Sequence, residues 1–159
     1  MVSWTEFSEA EPELAAKVRA AFDRHIHKTM ATLRRDGSPR ISGTEVRFDH
    51  GEMWLGSMTG AVKARDLQHD SRVALHSASA EPDEGAGTMD PDAKVSGRAV
   101  EVTDPEVFAK FADQAPPEGM HLFLVDISEV AVTGVEGEPP ELVIDFWTAG
   151  GGRSTITRK

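Results

Sequence analysis

Residues 31–78 read ATLRRDGSPRISGTEVRFDHGEMWLGSMTGAVKARDLQHDSRVALHSA, and the reading of this stretch decides the fold. Thr29 to Leu33 and Arg40 to Phe48 are β-type runs on either side of Asp36-Gly37. Asp-Gly supplies left-handed backbone at little cost, so the two runs are expected to pair as a hairpin. Alternation along Ile41, Gly43 and Glu45 against Ser42, Thr44 and Val46 is imperfect. Gly43 therefore predicts a bulge or a close approach by another group. A third run, Met53 to Leu55, follows Asp49-His50-Gly51. Gly56-Ser57-Met58-Thr59-Gly60 is a small polar turn. Ala61 to Leu67 fits two helical turns, and Arg72 to His76 returns as a strand.

The remaining chain extends this pattern. Ser8-Glu9-Ala10-Glu11 has the form of a capping box, and Pro12 suits a first helical turn. Leu14, Val18, Ala21 and His25 keep helical spacing, which predicts one amphipathic helix over about residues 9–25. Residues 78–93 carry Gly, Pro and acids without an apolar period, and read as a flexible loop. Lys94 to Val102 alternates as a strand, and Asp104-Pro105-Glu106 is a strong helix start. His121 to Val132, Leu142 to Trp147 and Arg153 to Thr157 are further β-type runs, with a Gly/Pro/acid loop from Gly134 to Glu141. About seven short strands with added helices predict a mainly β fold, a largely antiparallel curled sheet. The 159 residues form one expected domain. No strand leads into a Gly-rich dinucleotide loop.

Charge and composition narrow the function. Asp plus Glu is 27 against 17 for Lys plus Arg, a net charge of -10. That balance disfavours nucleic acid and anionic membrane surfaces as partners. It leaves room for a local basic pocket. Cysteine is absent, which excludes disulfides, thiol nucleophiles and thiolate metal sites, and fits the cytoplasm. No signal peptide and no spanning apolar run are seen. The six histidines are scattered without metal-ligand spacing, so no metal site is expected.

Lys63 and Arg65 follow Ser57 and Thr59, while Arg40, Ser42 and Thr44 lie on the neighbouring strand. Hydroxyl and cationic donors beside a helix start suit a phosphate. The same cations would also suit ion pairs on a solvated helix, and the residues alone leave both readings open. Trp147 reads as a core residue, although it could cover a ring. Arg153 and Arg158 could reach an anionic substrate from the tail.

The Asp-Gly hairpin, the Gly56-Ser57-x-x-Gly60-x-x-Lys63 turn and the Leu67-x-x-Asp70-x-Arg72-Val73-Ala74-Leu75 exit resemble the pyridoxamine 5'-phosphate oxidase-like group of FMN-binding split barrels. KVSGRAVEVTDPE and HLFLVDISEVAVTGVEG extend the resemblance through most of the chain. The resemblance implies a six-stranded antiparallel split β-barrel with added helices. It implies a homodimer with the cofactor at the interface, and hydride transfer to or from a small-molecule substrate. FMN is the implied cofactor, with a 5-deazaflavin coenzyme of the factor-420 type as alternative. A non-catalytic storage protein, or a heme or tetrapyrrole binder using His25, His27 or His69, are the other implied functions. By this resemblance Lys63 meets the cofactor phosphate, and Arg40, Ile41, Ser42, Gly43 and Thr44 pass the phosphate and ring. Ser57, Met58 and Thr59 wrap the ribityl or phosphate region. No catalytic acid or base is implied. The C-terminal Ile156-Thr157-Arg158-Lys159 departs from the Arg-x-His substrate element of true pyridoxamine phosphate oxidases.

Overall fold

A computed structural model describes residues 1–79, 90–111 and 118–159. The expected flexible loop at 78–93 falls mostly outside the described residues. The elements, in chain order, are α1 (Trp4–Ala10), α2 (Pro12–Asp23), β1 (His27–Leu33), β2 (Pro39–Asp49), β3 (Glu52–Ser57), α3 (Val62–His69) and β4 (Arg72–His76). They continue with β5 (Asp92–Glu101), α4 (Pro105–Phe111), β6 (His121–Glu136), β7 (Glu141–Thr148) and β8 (Gly152–Arg158).

All strand pairings are antiparallel, in the order β3-β2-β1-β4-β5-β6-β7-β8. β3 also pairs with β6, with Trp54 opposite Leu124 and Ser57 opposite His121. This last pairing closes β1–β6 into a six-stranded barrel and leaves β7 and β8 as an extension. Closure removes the free edges that a six-stranded open sheet would expose.

Alternation places one set of side chains inside. Met30, Leu55, Leu75, Val95, Phe123 and Val125 are each at most 2% exposed. α1 and α2 add Phe7, Leu14, Val18 and Phe22 to the same core, all fully buried. Each such side chain contributes roughly 1.5–3 kcal/mol of transfer free energy. Trp147 belongs to this core, edge-on to Phe7 at 4.9 Å, so the core reading of Trp147 holds.

Three sequence expectations change. The N-terminal helix is two helices, and the capping box is Ser3 with Glu6, not the one at Ser8. Ser3 Oγ accepts from the Glu6 amide while the Glu6 carboxylate accepts from the Ser3 amide. Ser8 instead donates to the Trp4 carbonyl inside α1, and His25 lies beyond the end of α2. The second change concerns the bulge expected at Gly43, which instead pairs in register with Thr29 and is approached by Lys63, while the irregularity falls at Ser96/Gly97. A Cβ on Gly97 would stand 1.9 Å from the Asp126 carbonyl oxygen, so only glycine permits that approach. Third, β6 runs through Gly134 to Glu136 and shortens the expected loop. Among the described residues no helix is long and apolar enough to cross a membrane.

Candidate functional site

The hairpin β1–β2 is fixed by its turn. Asp36 Oδ1 accepts from the Ser38 amide and hydroxyl, and Gly37 takes φ +81°. That register sends Ile41, Gly43, Glu45 and Arg47 to one face of β2 and Thr44, Val46 and Phe48 toward the core. β3 follows, then the turn 58–61, then α3. Here the outer face of β2, the end of β3, the start of β6 and α4 enclose a cavity of about 580 Å³. Such a volume lies within the range of small-molecule and cofactor sites.

Five of the expected residues meet on its wall: Gly43, Thr44, Ser57, Met58 and Lys63. Gly43 has nothing within 4 Å of the position a Cβ would take, so its missing side chain leaves open space. Lys63 Nζ donates to the Gly43 carbonyl at 2.7 Å. Burial lowers the Lys63 pKa, opposed by the nearby Glu45 carboxylate. Lys63 thus has a carbonyl as its hydrogen-bond partner and no ion pair within contact distance among the described residues. Ser57 is 6% exposed, and its buried Oγ has no hydrogen-bond partner among the described residues. A buried hydroxyl without a partner is costly unless a ligand or water satisfies it. Ala61 caps α3 with no side-chain hydrogen bond, leaving the first-turn amides without a capping side chain.

Four expected residues lie elsewhere. Arg40 Nε donates to Asp66 Oδ2 at 2.6 Å, and Thr32 Oγ1 donates to the same oxygen at 2.9 Å. Asp66 is buried on α3, and this pairing turns Arg40 away from the cavity wall. Ile41, 76% exposed, lines a separate shallow cleft with Ala31 and Ala74. Ser42 lines neither cavity. Thr59 Oγ1 donates to the Glu118 carbonyl at 3.2 Å. Arg153 is held by Asp145, Glu11 and Glu13, which ties β8 to the N-terminal helices.

The sequence reading missed Trp54 and Leu122, which line the cavity from β3 and β6, and Phe108, which lines it from α4. It also missed His121 as a wall residue, whereas His27, expected only for a tetrapyrrole ligand, does line the cavity. His25 and His69 do not line it. Among the described residues no group of three or more His, Asp or Glu side chains is placed to hold a metal ion. The residues present fit the chemistry of a flavin: Lys63, Ser57 and the uncapped start of α3 are donors of the kind a phosphate takes, beside walls that include Trp54, Phe108 and Leu122.

The chain is similar to known proteins over this same frame. Residues 14–134 match the family model described as pyridoxamine 5'-phosphate oxidase. No curated protein matches the chain. A pyridoxamine 5'-phosphate oxidase-related, FMN-binding protein of Nostoc punctiforme superposes with TM-score 0.61 at 13% identity, over 94% of this chain and 96% of that one. A heme-binding protein of Mycobacterium smegmatis gives TM-score 0.62 at 13% identity, over 93% and 88%. The protein Atu2129 of Agrobacterium tumefaciens, of unknown function, gives 0.57 at 19% identity, over 76% of this chain and 56% of that one. At these identities the likeness is one of fold, whereas the family model spans most of the sequence. With the barrel closed by β3 and β6 and the match running from α2 through β6, the chain belongs to the pyridoxamine 5'-phosphate oxidase family.

Proposed function

We propose that the cavity binds FMN and that the protein is a flavin-dependent oxidoreductase, transferring hydride to or from a small organic substrate. The observation that carries this reading is Ser57 Oγ, buried on the cavity wall with no partner among the described residues, beside Lys63. Lys63, Ser57 and the first amides of α3 would hold the phosphate, since an ammonium, a hydroxyl and backbone donors suit that group. Gly43 leaves room against β2. Trp54, Phe108 and Leu122 would exclude water and orient the ring. When bound, the flavin supplies the hydride chemistry itself. A 5-deazaflavin coenzyme is the alternative occupant of the same cradle.

The second copy in this proposal is a homodimer partner, seated on the outer face that carries Ile41, Ala31 and Ala74 beside the cavity strand. The test is fluorescence titration with FMN and, separately, with the deazaflavin coenzyme, run beside native mass spectrometry. Micromolar binding of one of them to a dimer is expected. Failure of both to bind rejects the flavin reading. Tight binding without hydride transfer across a panel of enones and quinones would leave a storage protein. A heme reading has one observation in its favour, His27 and His121 on the cavity wall. A Soret band on adding hemin, lost in His27→Ala or His121→Ala, would select it.

A further inference from the structure

This inference rests on the cavity being the ligand site. His121 opens β6 directly opposite Ser57, the last residue of β3. Paired residues put their Cβ atoms about 5 Å apart on one face of a sheet. His121 Nδ1 lies 2.6 Å from Glu101 Oε1, at the end of β5. Gln68, from α3, donates its amide to the same carboxylate at 2.9 and 3.2 Å. The His121 ring stacks on Phe123 with an interplanar angle of 25°. Three elements therefore fix the plane of one imidazole.

An ionised carboxylate only accepts, so the proton of a neutral ring sits on Nδ1. Nε2 is then the ring atom with no partner among the described residues, on a side chain 20% exposed at the cavity wall. The geometry points to His121 as the proton-exchanging contact of the bound molecule: Glu101 and Gln68 hold the ring, Ser57 stands beside it, and Nε2–H of the protonated ring donates to a ligand oxygen. The ligand must therefore present a carbonyl or ionised oxygen at this point rather than an apolar edge. Burial raises the Glu101 pKa, but the hydrogen bonds from His121 and Gln68 outweigh it and hold the carboxyl below its ordinary range. Glu101 thus remains a carboxylate through the range in which a histidine titrates, and supports the imidazolium. The other titratable groups on the wall are His27, Glu45, Arg47 and Lys63, and none of them hydrogen-bonds to His121.

The test follows the His121 ring by NMR through a pH titration, with and without saturating FMN, beside a fluorescence measurement of FMN binding. FMN phosphate itself titrates near pH 6, so the ring signal is read in place of the binding curve. FMN should raise the His121 midpoint by about one pH unit, which corresponds to about tenfold tighter binding to the protonated ring. Glu101→Gln, which removes the carboxylate that holds the ring, should shrink the FMN-induced change at His121. His121→Phe keeps a ring on Phe123 and should weaken FMN about tenfold below pH 6 while leaving the rest of the spectrum folded. FMN binding with an unmoved His121 midpoint overturns the inference alone. Absence of FMN binding overturns the flavin reading and this inference with it.

Discussion

The polar cluster around Asp66 and the polar cluster around Ser57 both draw on the hairpin and α3, the second with the end of β3 added, yet they end in opposite states. At Asp66, a buried carboxylate receives Arg40 at 2.6 Å and Thr32 at 2.9 Å. At Ser57, a buried hydroxyl has no partner among the described residues, and Lys63 rests on a backbone carbonyl. The first cluster is complete within the chain and fastens α3 to the hairpin. The second has a buried hydroxyl without a partner and a cation without a carboxylate partner, among the described residues. Residue type does not separate them, because both contain a hydroxyl and a cation. What separates them is whether a carboxylate accepts from both, as Asp66 does and Glu45 does not. Buried polar groups are expected to be paired, and the unpaired Ser57 hydroxyl is the observation behind the proposed ligand site.

The largest effect should come from opening the closed cluster. Asp66→Ala leaves Arg40 and Thr32 without their shared acceptor and should cost about 3 kcal/mol, read as a lowered denaturant midpoint. A loss below about 0.5 kcal/mol would erase the contrast. Next comes filling the open one. A Cβ added at Gly43 meets nothing within 4 Å, so in Gly43→Leu the fold should stand while the side chain extends into the cavity. FMN affinity should fall about a hundredfold, or about 2.7 kcal/mol, by titration. Lys63→Ala should weaken FMN about tenfold with stability nearly unchanged, because a single hydrogen bond to a carbonyl is lost from the free protein.

The smallest effect concerns pH. Burial pushes the Asp145 pKa up, but Thr155, Lys17 and Arg153 outweigh it and hold the carboxyl below its ordinary range. A depressed native pKa stabilises the fold above the unfolded value and loses that contribution as pH falls through the native one. Stability of the native chain should therefore drop below about pH 4, and Asp145→Asn should flatten part of that drop in acid titrations of the melting temperature. Equal slopes would remove Asp145 as a source of acid sensitivity.

Much of the frame was legible because its signals are local. Asp36-Gly37 specifies a turn, Pro105 after Asp104 specifies a helix start, and period-two runs specify strands. The closure of the barrel was legible only through the family resemblance, since the pairing joins Trp54 to Leu124 across a separation that no window spans. The same limit hid His121, Phe108 and Leu122 from the site. Lys63, Ser57 and Gly43 were visible because a turn and its neighbouring strand gather them. Arg40 was drawn toward the site by type alone, and the burial of Asp66 on α3 gave it a different partner. Ser3-x-x-Glu6 was a readable capping box, passed over for Ser8-x-x-Glu11, whose spacing is the same.

The most direct measurement is a map of amide NMR shifts on adding FMN. Changes centred on Gly43, Ser57, Lys63 and Leu122 are expected, with Thr32 and Asp66 unmoved. Shifts centred on Ile41, Ala74 and Ser96, or spread around Asp66, would contradict it.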